Sequence, residues 1–184
     1  MVARRMGSAG RGCREYHAGQ PHGNTACSRD VRIPAALFGI AKEVLRHVLR
    51  RPVVGIAAAA RTPDGRWVLI RRGDTGGWAL PGGTLEWGET LRTALARELA
   101  EETGGKVLEL GRLIGVYSGP DRDARFHAVT VLVEARIELT GAAAENPLEI
   151  LEVRAFSEAE LPTELSYQMK DMLDDARAGR TVWE

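Results

Sequence analysis

The spacing of hydrophobic residues changes character twice along the chain. Residues 1–31 scatter Gly, Ser, Arg and His with neither helical nor strand periodicity. From Pro34 to Arg50 the residues Leu37, Ile40, Ala41, Val44, Leu45 and Val48 recur at helical spacing. Pro34 suits a first turn, and Arg46, Arg50 and Arg51 suit the negative pole of the helix dipole. From Pro52 the pattern becomes short apolar runs bounded by turn residues. Val53–Arg61 predicts a strand, Asp64-Gly65 a hairpin turn, and Trp67–Arg72 a returning strand with Val68 and Ile70 on one face. A loop over Gly73–Gly77 and a short strand Trp78-Ala79-Leu80 follow, and Pro81-Gly82-Gly83 breaks regular structure. Thr90–Thr103 predicts a helix ended by Gly104-Gly105. Strands are expected at Val107–Tyr117, His127–Ile137 and Glu149–Ala155, and a closing helix at Leu165–Ala178. The chain therefore divides into a flexible basic tail (1–31), a helix (32–51) and a compact α/β domain (52–184).

Composition sharpens this division. Hydrophobic residues make up 44% of the 184, enough for a proper core. No apolar run is long enough to span a membrane, and no apolar stretch follows the basic start, so a cytoplasmic protein is expected. Residues 1–51 carry ten Lys or Arg against three Asp or Glu, a net of +7. The total is zero, so the remainder is −7. An acidic domain would need cations in between to take up any anionic ligand. Cys13 and Cys27 are the only cysteines, which makes a disulfide framework a poor reading. Cys13, His17, His22 and Cys27 contain zinc-ligand chemistry, but their spacings are irregular and a plain tail is preferred.

The helix from Thr90 carries the candidate chemistry. At 100° per residue, Leu91, Leu95 and Leu99 fall at about 0°, 40° and 80°, and Ala94 at about 300°. Glu98 and Glu102 then fall between Ala94 and Leu95 on the same projection, inside this apolar stripe, and Glu101 lies at its edge beside Ala94. Like charges one turn apart repel, and a carboxylate without a partner is costly to bury. A divalent cation relieves both problems. Clustered hard oxygens suit Mg²⁺, and Mn²⁺ fits similarly. Gly82 and Gly83 would let backbone approach a ligand, and Arg97 is placed to pair with Glu89 and Glu101.

The stretch from Gly83 to Gly104 resembles the Nudix box, G-x5-E-x7-R-E-U-x-E-E-x-G-U, where U is bulky and apolar. Gly83, Glu89, Arg97, Glu98, Leu99, Glu101, Glu102 and Gly104 match, whereas Gly105 stands at the final U. The resemblance implies a Nudix-type α/β/α sandwich on a mixed sheet, with a loop–helix–loop motif. It implies Mg²⁺-dependent hydrolysis of a nucleoside diphosphate linked to another moiety. On that reading Glu98 and Glu102 are the main metal ligands, Glu101 an added ligand or orienting group, and the Gly82 carbonyl a further oxygen. Glu89 and Arg97 brace the helix. The family places its general base within the box or on a later loop, so Glu101, Glu145 and Glu149 are all candidates.

Pro120, in the stretch that follows Gly104, and the segment Tyr117–Asp123 resemble the ADP-ribose pyrophosphatase branch. ADP-ribose or a nucleoside diphosphate sugar is the preferred substrate, ahead of nucleoside triphosphates. Arg71, Arg72, Arg122 and Arg125 are candidate contacts to phosphate or ribose. Trp78 is a candidate base-stacking residue, with Trp87, Tyr117 and Phe126 as alternatives, and His127 is read as structural. A nucleotide-sensing regulator is the non-enzyme alternative. Its basic arm would contact nucleic acid, but no DNA-binding motif is present and retained box carboxylates argue against it. The expected partners are a small nucleotide and, through the 34–50 helix, a second copy in a homodimer.

Overall fold

In the computed structural model the described residues are Gly39, Ile40, residues 42–45 and residues 51–184. Gly39, Ile40 and residues 42–45 are helical. The rest of the 34–50 helix and the segment with Cys13, His17, His22 and Cys27 lie outside the described residues.

Strand β1 (Val53–Arg61) is the axis of the domain. It runs parallel to β6 (Ala128–Glu138) over its whole length, and antiparallel to β2 (Trp67–Arg72) only at Arg61↔Trp67. On the edge not taken by β6, β1 also takes up β4 (Gly82–Thr84), with Ile56 opposite Gly83 and Ala57 opposite Gly82. β2 carries β3 (Trp78–Ala79) and β7 (Ile150–Phe156), both antiparallel. β5 (Lys106–Tyr117) pairs antiparallel with β6, and β8 (Val182–Trp183) lies parallel along β5. Among the described residues the result is one mixed eight-stranded sheet.

Both faces of β1 are covered, which is why its sequence reads as a continuous apolar run rather than an alternation. Ile56, Ala58 and Ala60 enter a core with Val68 and with Ala94, Leu95 and Leu99 of helix α1 (Leu91–Thr103). Ala57 and Ala59 enter the opposite core with Leu69, Leu132 and with Met172, Leu173 and Ala176 of helix α2 (Lys170–Arg177). A sheet between two helical layers follows from this alternation. Each helix supplies a dry face, and the sheet supplies both.

Local signals set the bounds of α1. The Thr90 hydroxyl accepts the Thr93 N–H at 3.2 Å, and Gly104 closes the helix at φ 58° with its N–H on the Ala100 carbonyl.

Four departures from the sequence reading matter. Gly82 and Gly83 do not break structure but form β4, because β1 offers them a free edge. Leu91, expected in the core stripe, is more than one-third exposed, so the apolar contact of α1 begins at Ala94. β8 was not expected, since two residues carry no readable period. The closing helix is shorter than predicted. A 3-10 turn at Ser166–Gln168 precedes it, with Tyr167 at φ 56° and Gln168 at φ 52°. Nothing in the residue types Tyr and Gln announces a left-handed backbone. No described helix is long and apolar enough to cross a membrane.

Candidate active site

The end of α1 that carries its carboxylates meets β4 at a cleft of about 440 Å³. Gly55–Ala57, Gly82–Thr84, Glu98 and Glu101 line it together with Arg72, Arg122, Arg125, Phe126, Glu149 and Tyr167.

Glu102 is the buried member of the acidic group, only 7% exposed. Its Oε2 accepts the Gly82 N–H at 2.7 Å, and its Oε1 lies 3.6 Å from Arg72 Nη1. Burial pushes its carboxyl up to about 8, and the neighbouring Glu98 adds to the shift against the pull of Gly82 and Arg72. Glu98, one turn earlier and nearly as well covered, is also raised, again chiefly by loss of water. It lies so close to β4 that a Cβ on Gly83 would stand 2.3 Å from its carboxylate. Gly82 is needed for a different reason. Its φ is 153°, and a Cβ there would sit 2.1 Å from the Ile56 carbonyl oxygen.

Arg97 ties the motif together. Its Nε and Nη2 donate to the two Glu89 oxygens at 2.9 and 3.0 Å. Its Nη1 reaches Glu98 at 3.0 Å and Glu101 at 3.2 Å. Glu89 Oε2 also accepts the Glu86 N–H at 3.1 Å, which fixes the loop before the helix. The Glu89–Arg97 pairing expected from the motif is thus present, and so is the pairing with Glu101.

Among the described residues, no three acidic, His or Cys side chains already stand around a common point at metal-binding separation. Each carboxylate has turned to the nearest donor, Glu102 to Gly82 and Arg72, Glu98 and Glu101 to Arg97. The donor chemistry nevertheless fits a hard divalent cation. Two covered carboxylates on successive turns both resist ionisation, and a cation between them would reverse that resistance.

The predicted substrate contacts separate. Arg72, Arg122 and Arg125 line the cleft, whereas Arg71 does not, its Nε on the Gly76 carbonyl and its Nη1 3.8 Å from Glu152. Trp78 is not at the cleft: it packs edge-on against Phe156 at 4.8 Å and joins the α2-side core. Trp87 is fully exposed, and Tyr117 is buried with its hydroxyl on Asp175 at 2.9 Å. Phe126 is the aromatic of that set that reaches the cleft. His127 binds the Ser118 carbonyl at 2.9 Å, a structural contact. Of the later-loop acids, Glu149 lines the cleft and pairs with Arg72 at 3.1 Å, while Glu145 is exposed and touches the motif through its N–H on the Glu101 carbonyl.

Sequence reasoning missed Asp74 and Tyr167. Asp74 gathers Arg72 at 3.1 Å, Arg125 at 3.1 Å and the Tyr167 hydroxyl at 2.6 Å, and Arg72 first among them holds its carboxyl well below the ordinary range. Arg125 lies over the Tyr167 ring at 4.3 Å. No spacing rule links residues 74, 125 and 167, so only the fold reveals the cluster.

The family described as NUDIX domain matches residues 49–176. The chain is 49% identical over 69 residues to a MutT-like protein of Streptomyces ambofaciens, covering 38% of this chain and 44% of that one. It is 44% identical over 72 residues to the ADP-ribose pyrophosphatase of Methanocaldococcus jannaschii, covering 38% and 42%. The chain thus matches less than half the length of either curated relative. The crystal structure of a MutT NUDIX hydrolase from Burkholderia pseudomallei superposes with a TM-score of 0.58 at 28% identity, over 68% of this chain and 98% of that one.

Proposed function

The chain belongs to the NUDIX domain family, and from that premise we propose that it is a Mg²⁺-dependent pyrophosphohydrolase. Its substrate class is a nucleoside diphosphate linked to a further moiety, with ADP-ribose or a nucleoside diphosphate sugar preferred. One observation carries the reading: Glu98 and Glu102, covered and reluctant to ionise, face a glycine strand at the floor of a cleft large enough for a nucleotide.

Glu98 and Glu102 would hold the Mg²⁺, with Glu101 and the Gly82 carbonyl as further oxygens, and Mn²⁺ would substitute. A metal held there would supply charge to neutralise diphosphate oxygens and would lower the pKa of water. The remaining steps fall to the chain itself. Arg97 keeps Glu98 and Glu101 in place and offsets their repulsion, while Glu89 fixes Arg97. Arg72 and Arg125 present positive charge to the diphosphate, and Phe126 and Tyr167 offer flat surface to the rest of the substrate. The proton of the attacking water goes to Glu101 or Glu149, which line the cleft, whereas both oxygens of Asp123, also in its lining, accept from Arg125. The preference for ADP-ribose draws on the likeness to the Methanocaldococcus jannaschii enzyme and on the Tyr117–Asp123 segment.

A panel of nucleotides incubated with Mg²⁺ and separated by chromatography tests the substrate class. ADP-ribose giving AMP and ribose 5-phosphate supports the preference, and turnover confined to triphosphates rejects it. Glu98→Gln should lower kcat on the order of 10²-fold with an unchanged circular dichroism spectrum. Glu101→Gln and Glu149→Gln, compared at saturating Mg²⁺, separate the two base candidates. The one that loses about tenfold or more is the base, and if neither does, both assignments fail.

A further inference from the structure

The segment between β5 and β6 delivers Arg125 and Phe126 to the cleft, yet its anchorage comes from the far end of the sequence. β8 runs beside β5 with Val182 next to Gly115 and Trp183 next to Val116. The approach is so close that a Cβ on Gly115 would stand 2.8 Å from the Val182 carbonyl oxygen. Directly after β8, the Glu184 N–H donates to the Val116 carbonyl at 3.0 Å. Its Oε2 accepts the Ser118 N–H at 2.9 Å, the Gly119 N–H at 3.0 Å and Arg122 Nε at 2.8 Å. Its Oε1 accepts Arg122 Nη2 at 3.1 Å, and its main-chain carbonyl accepts the Ser118 hydroxyl at 3.0 Å.

Arg122 passes this hold on to α2. Its Nη1 donates to the Gln168 carbonyl at 3.3 Å and to Asp171 at 3.1 Å, and its Nη2 donates to Asp171 at 2.7 Å. A guanidinium has five N–H donors. Here there are five acceptor contacts, two on Glu184, two on Asp171 and one on Gln168. None is left for a phosphate. Arg122, which the sequence suggests as a substrate contact, lines the cleft but is a connecting piece, and Arg125, half-exposed beside Asp74, Asp123 and Tyr167, is the arginine of the loop with N–H donors left for substrate.

We propose that Glu184 is a positioning residue for the cleft: through Ser118, Gly119 and Arg122 it fixes the 118–126 segment so that Arg125 and Phe126 face the substrate. The kinetic side of this proposal rests on the hydrolase reading, and its structural side does not. Arg122 first, then the Gly119 and Ser118 N–H groups, hold the Glu184 carboxyl at about 2, so the anchor is charged wherever the protein is assayed.

The full chain bearing Glu184→Gln separates positioning from simple stabilisation. Loss of a charge-assisted acceptor should speed amide exchange at residues 118–126 by about tenfold, with exchange in β1 and α1 unchanged. KM for the preferred nucleotide should rise about fivefold or more while kcat stays within about twofold, the mark of lost binding rather than lost chemistry. Glu184→Asp, which keeps the charge, should fall between wild type and Glu184→Gln in both readouts. Trp183→Ala, removing a side chain that is 93% exposed, should match wild type. Unchanged exchange in Glu184→Gln overturns the proposal, and so does faster exchange without a change in KM, or a joint fall of kcat and melting temperature. Should wild type turn over no nucleotide in the panel, the hydrolase reading fails. Calorimetric Kd for ADP-ribose then stands in for KM, and equal affinity of wild type and Glu184→Gln rejects the positioning role.

Discussion

At the scale of single residues the site is governed by how poorly Glu102 is solvated. Its folded-state value is near 8 against an ordinary 4.5. In the metal-free protein this carboxyl favours the folded state fully below about 4.5, and that contribution is lost as pH rises through about 8. A cation must displace the proton, so Mg²⁺ affinity should climb with pH and level off above about 8. Calorimetry in two buffers of different ionisation enthalpy should register proton release near pH 7 and almost none near pH 9. Equal proton release at both would contradict the account. Glu102→Gln removes the titration. In metal-free protein above about pH 8 it should melt at or above the wild-type temperature, yet gain nothing from added Mg²⁺.

At the scale of elements, the short strand β4 does what neither of its glycines could do alone. Pairing with β1 holds Gly82 and Gly83 against the carboxylate end of α1, but the two glycines have different tasks. A methyl group on Gly82 would collide with β1 backbone, which cannot yield, whereas one on Gly83 would meet the mobile end of Glu98. Gly82→Ala should therefore lower stability by about 2–4 kcal/mol in denaturant titration. Gly83→Ala should unfold within about 1 kcal/mol of wild type while losing most of its activity, because Glu98 is pushed out of place. Similar stabilities for the two variants would show that β4 is less tightly seated than described. The left-handed pair Tyr167–Gln168 belongs to this scale too. A non-glycine residue in that region costs of order 1–3 kcal/mol and persists where the surroundings fix it. Here Asp74, Arg125 and Arg122 all fasten the turn.

At the scale of the whole molecule, one sheet shared by two cores links the site to the far helix. Leu95 of α1 and Leu173 of α2 are both fully buried, on opposite faces of β1. Either residue replaced by Ala should destabilise by about 2–5 kcal/mol, and both variants should still unfold in a single transition because they share β1. Two separate transitions in either variant would mean that the faces fold independently.

Much of this architecture was legible in the residues. The period of α1, its start at Thr90 and stop at Gly104, and Glu98 and Glu102 falling within an apolar stripe were all local facts, because 3.6-residue geometry converts spacing directly into direction. The Arg97–Glu101 pairing was legible for the same reason, whereas Glu89 lies before the helix and its place beside Arg97 rested on the motif. What the sequence could not supply was any relation between distant segments. Trp78 and Phe126 look equally fit to meet a base, and only sheet packing sends the first into the core and the second to the cleft. Arg122 and Arg125 sit close together on one loop, yet Glu184, Asp171 and Gln168 occupy the first completely. The cluster of Asp74, Arg125 and Tyr167 exists because three loops converge at one end of the sheet. Contacts so far apart along the chain have no period, and only the folded backbone determines which of them are made.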